Sequence, residues 1–142
     1  MNNFKRIFLD TSPLIYFLDA NSPFKARMDK IFFEILSKKS SFITSAITFE
    51  EFLVFPYRNK NLVAIQGFKK FIDDNKIPVL KIDTDIATEA AKIRAEYKHF
   101  KTMDALQLAA AICSGCDLFL TNDKQLKQFQ EISCVTVEEW QI

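Results

Sequence analysis

Five short apolar runs, separated by longer segments with helical periodicity, are the feature that most restricts the fold of this sequence. The runs are IFL (7–9), SFIT (41–44), PVLKI (78–82), LFLT (118–121) and CVTV (134–137). Strands that alternate with helices are typical of a parallel sheet covered on both faces, because each parallel connection must cross over the sheet. The sequence therefore predicts an α/β fold. Since no repeat or linker interrupts the pattern, we expect one domain over residues 1–142.

The helices are predicted from the spacing of apolar residues. Residues 24–36 place apolar side chains at intervals of three and four, which is typical of a helix on the surface of a domain. Further helices are predicted over residues 13–18, 62–72, 85–97 and 102–112, and another follows SFIT. These segments fill the gaps between the predicted strands.

Capping residues mark several of the predicted helix ends. Ser12 followed by Pro13 suits the start of the first helix, since a hydroxyl caps well and proline fits the first helical position. Thr84 and Thr102 are predicted to open two later helices, and Gly115 to end the last one. The chain has two glycines, so we expect few turns with positive φ.

Acidic residues follow several of the predicted strands, at the edge where α/β sheets bind ligands. Asp10 directly follows the first strand, although the predicted start of the first helix leaves it unnecessary as a cap. Asp123 lies two residues after the fourth strand, and Glu50 and Glu51 lie in the helix after the second. Asp104 is in the first turn of an otherwise apolar helix. We expect these carboxylates to converge.

Taken one at a time, the acids have simpler explanations. Asp104 would interact favourably with the helix dipole, and Asp123 suits a turn. Glu50 and Glu51 would suit a solvated helix face. Together, however, converging carboxylates would raise one another's pKa values unless a cation held them. The acids therefore indicate a divalent cation.

The ligand types indicate which cation the acids would hold. The chain has one histidine, His99, and no cysteine near the acids, so all-oxygen ligation by Mg²⁺ or Mn²⁺ is favoured over zinc. Such an ion lowers the pKa of a water molecule that can then attack a phosphodiester. The single histidine also argues against a metal-free ribonuclease that uses a histidine acid and a histidine base.

Four motifs occur in the order DTS (10–12), SAITFEE (45–51), DALQLAAA (104–111) and TND (121–123). This order resembles that of the PIN-domain nucleases, specifically the toxin ribonucleases of the VapC type, and the similarity spans essentially the whole chain. The resemblance implies a three-layer α/β/α fold with a parallel five-stranded sheet of order 3-2-1-4-5. It also implies Mg²⁺ or Mn²⁺ at the acids and endonucleolytic cleavage of RNA.

The resemblance also implies residue roles. The catalytic and metal-binding acids would be Asp10, Glu51, Asp104 and Asp123, with Thr11, Ser12, Thr121 and Asn122 shaping the site. The motif favours Glu51 over Glu50, whereas helical spacing alone leaves both open.

Toxins of this type are usually homodimers and are inhibited by a small antitoxin, whose C-terminal segment lies in an apolar groove near the acids. Candidates for that groove or for a dimer contact are Tyr16, Phe17, Phe32 and Phe33, although core packing would explain these aromatic residues equally well.

The charge balance restricts how RNA would bind. Nineteen basic and eighteen acidic side chains give a net charge of +1, so binding to RNA must come from local patches. Arg94, Lys98 and Lys101 precede Asp104 and are candidates for RNA phosphate contacts, with a solvated helix face as the alternative.

The cysteines and the N-terminal sequence indicate the compartment. Cys113 and Cys116 form a C-x-x-C at a helix C-terminus, where the dipole opposes a thiolate, so we expect packing rather than redox or zinc chemistry. The sequence MNNFKRIFLD lacks the apolar region of a signal peptide, and no apolar run is long enough to span a membrane. We expect a reduced, cytoplasmic protein that is not associated with a membrane.

Two other classes of phosphoryl chemistry are alternatives. Phosphatases with an aspartyl nucleophile begin with Asp-x-Asp after a strand, but here residue 12 is serine. A receiver-like domain would accept phosphate on Asp83 after the third strand, but its acidic pair and its lysine are not evident. A glycine-rich nucleotide site is excluded by the two distant glycines.

Overall fold

A computed structural model describes residues 3–141. Five parallel strands form one sheet of order β3-β2-β1-β4-β5. The strands are β1 (Arg6–Leu9), β2 (Ser41–Ser45), β3 (Val79–Leu80), β4 (Leu118–Thr121) and β5 (Ser133–Thr136). At the centre of the sheet, Phe8 pairs with Ile43 on one side and with Phe119 on the other. The predicted α/β fold and strand order are confirmed.

Helices connect the strands. They are α1 (Thr11–Leu18), α2 (Lys25–Ser37), α3 (Ala46–Arg58), α4 (Leu62–Asp74), α5 (Thr84–Glu96) and α6 (Thr102–Cys113), with a 3₁₀ helix at Lys124–Gln128. The predicted helices are confirmed with small shifts of their ends. The third strand is shorter than the predicted run 78–82, because the chain leaves the sheet edge after Leu80 and enters the cap of α5.

The sheet is covered on both faces. Ile7 and Leu9 of β1 pack in a core with α1, α2 and α4, whereas Phe8 between them packs in a second core with α5 and α6. Successive side chains of a strand point to opposite faces, so a buried strand supplies both cores. The result is the three-layer α/β/α arrangement that the family resemblance implies.

The start of α1 differs from the prediction. The helix begins at Thr11, and Asp10 is its N-cap, with an extended backbone and a carboxylate that accepts a hydrogen bond from the Thr11 N–H. Ser12 and Pro13 are therefore the second and third helical residues. Proline is tolerated there because the first N–H groups of a helix lack partners within it. The prediction that Asp10 is unnecessary as a cap was wrong.

Two other predicted caps also differ. The carboxylate of Asp83, not the hydroxyl of Thr84, caps α5 by accepting a hydrogen bond from the Ile86 N–H. Helix α6 begins at Thr102 as predicted, but its N-cap is Lys101, which makes no capping hydrogen bond through its side chain. Aspartate caps at least as well as threonine, which explains the shift in α5.

Positive-φ positions are few among the described residues, as predicted, but most of them are not glycine. Gly115 ends α6 with φ of 73° as predicted, but Lys39, Lys60 and Lys76 also adopt φ of 58°, 52° and 50°. These three lysines follow the ends of α2, α3 and α4. Lysine therefore takes a left-handed position that glycine usually occupies.

Within residues 3–141, no helix is long and apolar enough to cross a membrane. The expectation about the N-terminal sequence falls partly on residues 1 and 2, which lie outside the described part of the chain.

Candidate active site

Four elements bring the predicted acids to the carboxyl edge of the sheet. Asp10 follows β1, and Asp123 follows the adjacent strand β4, where it caps the 3₁₀ helix by accepting a hydrogen bond from the Gln125 N–H. Glu51 lies in the second turn of α3, and Asp104 in the first turn of α6. The acids thus come from distant parts of the sequence.

Asp10 is the most firmly held of these acids. Asp10 is 9% exposed, and its two carboxylate oxygens accept hydrogen bonds from different partners. The Thr11 N–H donates to Oδ1 at 2.9 Å, and the Thr121 hydroxyl donates to Oδ2 at 2.8 Å. The Asp123 N–H in turn donates to the Thr121 oxygen at 3.1 Å. Thr121 therefore connects Asp10 with the loop that carries Asp123.

Thr11 connects Asp10 with Glu51. Its N–H donates to Asp10, and its hydroxyl donates to Glu51 Oε1 at 2.6 Å. Among the described residues, these contacts join Glu51 and not Glu50 to the other acids. The predicted site-shaping residues Thr11 and Thr121 are thus in direct contact with the acids.

The acids affect one another's ionisation. Burial raises the pKa of Asp10 to about 6, and the negative charges of Asp104 and Glu51 add to this effect, while the hydrogen bonds from Thr121 and Thr11 oppose it. Burial also raises the pKa of Asp104, and the charges of Asp123 and Glu51 act in the same direction. All four acids therefore lie within electrostatic range of at least one other.

Positive charge compensates only part of this repulsion. Lys101 lowers the pKa of Asp104, opposing the effects of burial and the neighbouring acids. No salt bridge within residues 3–141 involves any of the four acids. The other two basic candidates, Arg94 and Lys98, are exposed at the end of α5 and just after it.

The donor set suits a hard divalent cation, although it is not assembled as a ligand shell. In the described part of the chain, no three His, Cys, Asp or Glu side chains form a group that could hold a metal ion as it stands. The side-chain atoms at the site that could bind a metal ion are oxygens, which Mg²⁺ and Mn²⁺ prefer as ligands. The buried Oδ1 of Asn122 has no hydrogen-bond donor, while its Nδ2 donates to the Tyr16 hydroxyl at 3.0 Å. That oxygen can accept a hydrogen bond from a water molecule or coordinate a cation.

Comparison with known proteins identifies the family. The family model described as "PIN domain" matches residues 7–132, which is most of the chain. The chain belongs to the PIN domain family. A comparison with curated protein sequences finds no match.

Solved structures share the fold of this PIN domain. FitAcB from Neisseria gonorrhoeae has a TM-score of 0.75 at 18% identity, and 94% of this chain and 99% of that chain are covered. A toxin–antitoxin complex from Klebsiella pneumoniae has a TM-score of 0.71 at 24% identity, with 94% and 99% covered. VapC20 of Mycobacterium tuberculosis, a sarcin-ricin loop cleaving toxin, has a TM-score of 0.68 at 18% identity, with 89% and 98% covered. At these identities the likeness shows the fold.

The receiver-like alternative does not match this PIN domain. Receiver domains have strand order 2-1-3-4-5, whereas this sheet has the order 3-2-1-4-5. Asp83, the residue that would accept phosphate, is exposed and caps α5. Its position is explained by helix capping.

Sequence reasoning missed one polar residue beside the acids. Gln107 of α6 is 1% exposed, and its amide contacts Ser45, Thr48 and Asp10. The sequence of α6 after Asp104 is almost wholly apolar, which predicts burial but no polar role for the helix interior. The signal was present nonetheless, since glutamine is a large polar residue in a helix whose other buried residues are alanine and leucine.

The aromatic residues considered for a groove mostly pack in or against the core, where Phe32 is buried and Tyr16 and Phe17 are half-buried. Phe17 and Phe32 contact each other at 4.2 Å between ring centroids, and Tyr16 stacks on Phe24 at 4.6 Å. Phe33 is the exception, with 76% exposure. Core packing, the alternative explanation, therefore accounts for three of the four residues.

A cavity of about 420 Å³ lies between α1, α3 and α4, and Glu51 forms part of its lining. Most of its lining is apolar, through Ile15, Leu18, Ala20, Phe52, Phe55, Pro56 and Ala64, with Asp19 and Asn61 as further polar residues. We call this cavity the α1–α3–α4 groove.

Proposed function

We propose that this PIN domain is an endoribonuclease that depends on Mg²⁺ or Mn²⁺. The observation that carries the proposal is the convergence of Asp10, Glu51, Asp104 and Asp123, with no salt bridge to any of them within residues 3–141. A group of carboxylates that repel one another is stabilised by a shared cation. In a PIN domain, such a group at the carboxyl edge of the sheet supports nuclease activity.

The proposed ligands are the four acids, with Asn122 as a further oxygen donor. When bound, Mg²⁺ or Mn²⁺ would neutralise phosphate charge and lower the pKa of a water molecule for attack on phosphorus. Thr11 fixes the orientation of Asp10 and Glu51 through its N–H and its hydroxyl. Thr121 fixes Asp10 from the opposite side.

RNA would reach the acids along a basic surface. Lys101 lies within electrostatic range of Asp104, and Arg94 and Lys98 come before it in the chain. We propose that these three side chains contact RNA phosphates. Attack by water, with the ribose 3′-oxygen as leaving group, would give products with a 5′-phosphate and a 3′-hydroxyl.

We further propose that the protein is the toxin of a type II toxin–antitoxin pair. The solved structures with this fold include a toxin–antitoxin complex from Klebsiella pneumoniae. The α1–α3–α4 groove lies beside Glu51 and is large enough for several apolar side chains. A small antitoxin with an apolar segment would fit there. We also propose that the toxin is a homodimer. It would act in the cytoplasm, where its RNA is found.

Cleavage of a mixed RNA pool tests the proposed activity. The protein is incubated with RNA and Mg²⁺ or Mn²⁺, with EDTA in parallel reactions, and the ends of the products are mapped. Asp104→Asn should abolish the metal-dependent cuts. Asp85→Asn is the matched control, because Asp85 occupies the first turn of the neighbouring helix α5. Cleavage that persists in EDTA, or that Asp104→Asn leaves intact, would contradict the proposal, as would products ending in a 2′,3′-cyclic phosphate.

A further inference from the structure

The buried amide of Gln107 connects three of the elements that carry the acids. Gln107 lies one helical turn after Asp104 on α6. Its Oε1 accepts a hydrogen bond from the Ser45 hydroxyl, and its Nε2 donates to the Thr48 oxygen at 2.8 Å. The same Nε2 lies 3.5 Å from Asp10 Oδ1. One side chain thus contacts α3, the end of β2 and the junction between β1 and α1.

Both partners of the amide belong to the start of the helix that carries Glu51. Ser45 is the N-cap of α3, where its oxygen also accepts a hydrogen bond from the Ile47 N–H. Thr48 lies one turn before Glu51, and both Ser45 and Thr48 are fully buried. Because both ends of the amide are hydrogen-bonded to these residues, its orientation is fixed relative to α3.

A buried amide of this kind does not improve the packing of the core. An apolar side chain of similar volume would fill the space without needing hydrogen bonds, as replacements of buried polar groups often show. The neighbouring buried residues of α6 are apolar, for example Leu108 and Ala109. The amide is therefore better explained by what it contacts than by the stability that it provides.

We propose that Gln107 is a positioning residue, whose amide holds Asp10 and the first turn of α3 in the arrangement that the divalent cation requires. The short contacts to Ser45 and Thr48 orient the amide, and its N–H group is thereby presented to Asp10 Oδ1. Oxygen Oδ1 is also the acceptor for Thr11, which holds Glu51. Partners behind metal ligands commonly set the orientation of those ligands.

This inference rests on the proposed function, so its test has one measurement with metal and one without. The variant is Gln107→Met, which keeps an unbranched side chain of similar length but removes both hydrogen-bonding groups. The matched control is Leu108→Met, a buried substitution at the next position of the same helix. Binding of Mn²⁺ is followed by the electron paramagnetic resonance signal of the free ion. The Thr11 amide is followed by NMR in the metal-free protein.

Gln107→Met should weaken Mn²⁺ binding by ~10-fold or more, the range found for partners of metal ligands, while Leu108→Met should not. The Thr11 amide resonance should move in Gln107→Met and stay in place in Leu108→Met. If Gln107→Met fails to fold, Thr48→Val removes one anchor of the amide in a side chain of the same shape. It should weaken Mn²⁺ binding in the same direction.

The outcomes separate the two proposals. If the wild-type protein binds Mn²⁺ and Gln107→Met binds it equally well, the positioning role is wrong and the proposed function stands. If the wild-type protein binds no Mn²⁺, the proposed metal site is wrong, and the Thr11 resonance alone decides whether Gln107 positions Asp10. A purely structural role would lower the melting temperature of Gln107→Met without changing either measurement.

Discussion

Replacing Asp10 by asparagine should stabilise the metal-free protein. Burial and the neighbouring acids raise the pKa of Asp10 from 3.8 to about 6, so ionised Asp10 destabilises the folded state at neutral pH. Since one pKa unit corresponds to about 1.36 kcal/mol, the rise from 3.8 to about 6 corresponds to about 3 kcal/mol. Asparagine has the same shape and no charge, and its oxygen can still accept the hydrogen bond from the Thr11 N–H. Its amide N–H group faces the Thr121 oxygen and can donate to it, in place of the hydrogen bond that the carboxylate accepts there.

The stability that Asp10→Asn gains over the wild-type protein should be present at high pH and absent at low pH. Above about pH 6 Asp10 is ionised in both the folded and the unfolded state, so the buried charge lowers the stability of the wild-type protein by the full amount. As the pH falls through 6 towards 3.8, folded Asp10 takes up a proton before unfolded Asp10 does, so the wild-type protein gains stability. Below pH 3.8 the carboxyl group is protonated in both states, and Asp10→Asn should no longer have an advantage.

Thermal unfolding in EDTA at pH 8 and at pH 4 measures this difference. At pH 8, about 3 kcal/mol corresponds to a melting temperature roughly 6–12 °C higher for Asp10→Asn in a domain of this size. The matched control is Asp73→Asn, a surface substitution on α4, which should change little. Excess Mn²⁺ should then raise the melting temperature of the wild-type protein but not that of Asp10→Asn. If Asp10→Asn is no more stable than wild type at pH 8, or if the difference in melting temperature does not change with pH, the charge on buried Asp10 does not destabilise the folded state.

Three further predictions concern the acids, the basic surface and the backbone. Glu51→Gln should lower RNA cleavage by ~10-fold or more, as measured with a fluorogenic RNA, whereas Glu50→Gln should not; equal losses would contradict the choice of Glu51. Lys101→Ala should weaken RNA binding and reduce the slope of log affinity against log salt by about 0.7, whereas Lys69→Ala should leave the slope unchanged. Lys60→Gly should stabilise the protein by up to about 1 kcal/mol in urea unfolding because φ is positive there, whereas Lys69→Gly, inside α4, should destabilise it by about 1 kcal/mol.

The sequence was sufficient to predict the layers because its pattern is global. The central strands β1 and β4 are short, mostly apolar and almost wholly buried, as expected for strands covered on both faces, and Ile7 and Phe8 do enter opposite cores. Strand order came from the family resemblance, since periodicity does not determine which strands are neighbours. The convergence of the acids was predictable because each acid lies either just after a strand or in a helix near the same edge of the sheet.

Local details were harder to predict because several residue types compete for one position. Asp10 lies near Ser12, and Thr84 lies beside Asp83, so more than one residue could cap each helix. In the structure, Asp10 and Asp83 have the extended backbone of an N-cap, and they cap α1 and α5. Lys60 takes a left-handed conformation because the chain must turn at the end of α3, whether or not a glycine is present. Gln107 was missed because its partners lie far away in the sequence.

Anomalous diffraction from a crystal soaked in Mn²⁺ tests the shared metal site most directly. We expect a manganese peak in contact with carboxylate oxygens of Asp10 and Asp104, and the Asp104→Asn protein should lose or weaken it. Ordered carboxylates with no peak at millimolar Mn²⁺, or with lysine and arginine side chains bound in place of a cation, would contradict the shared metal site.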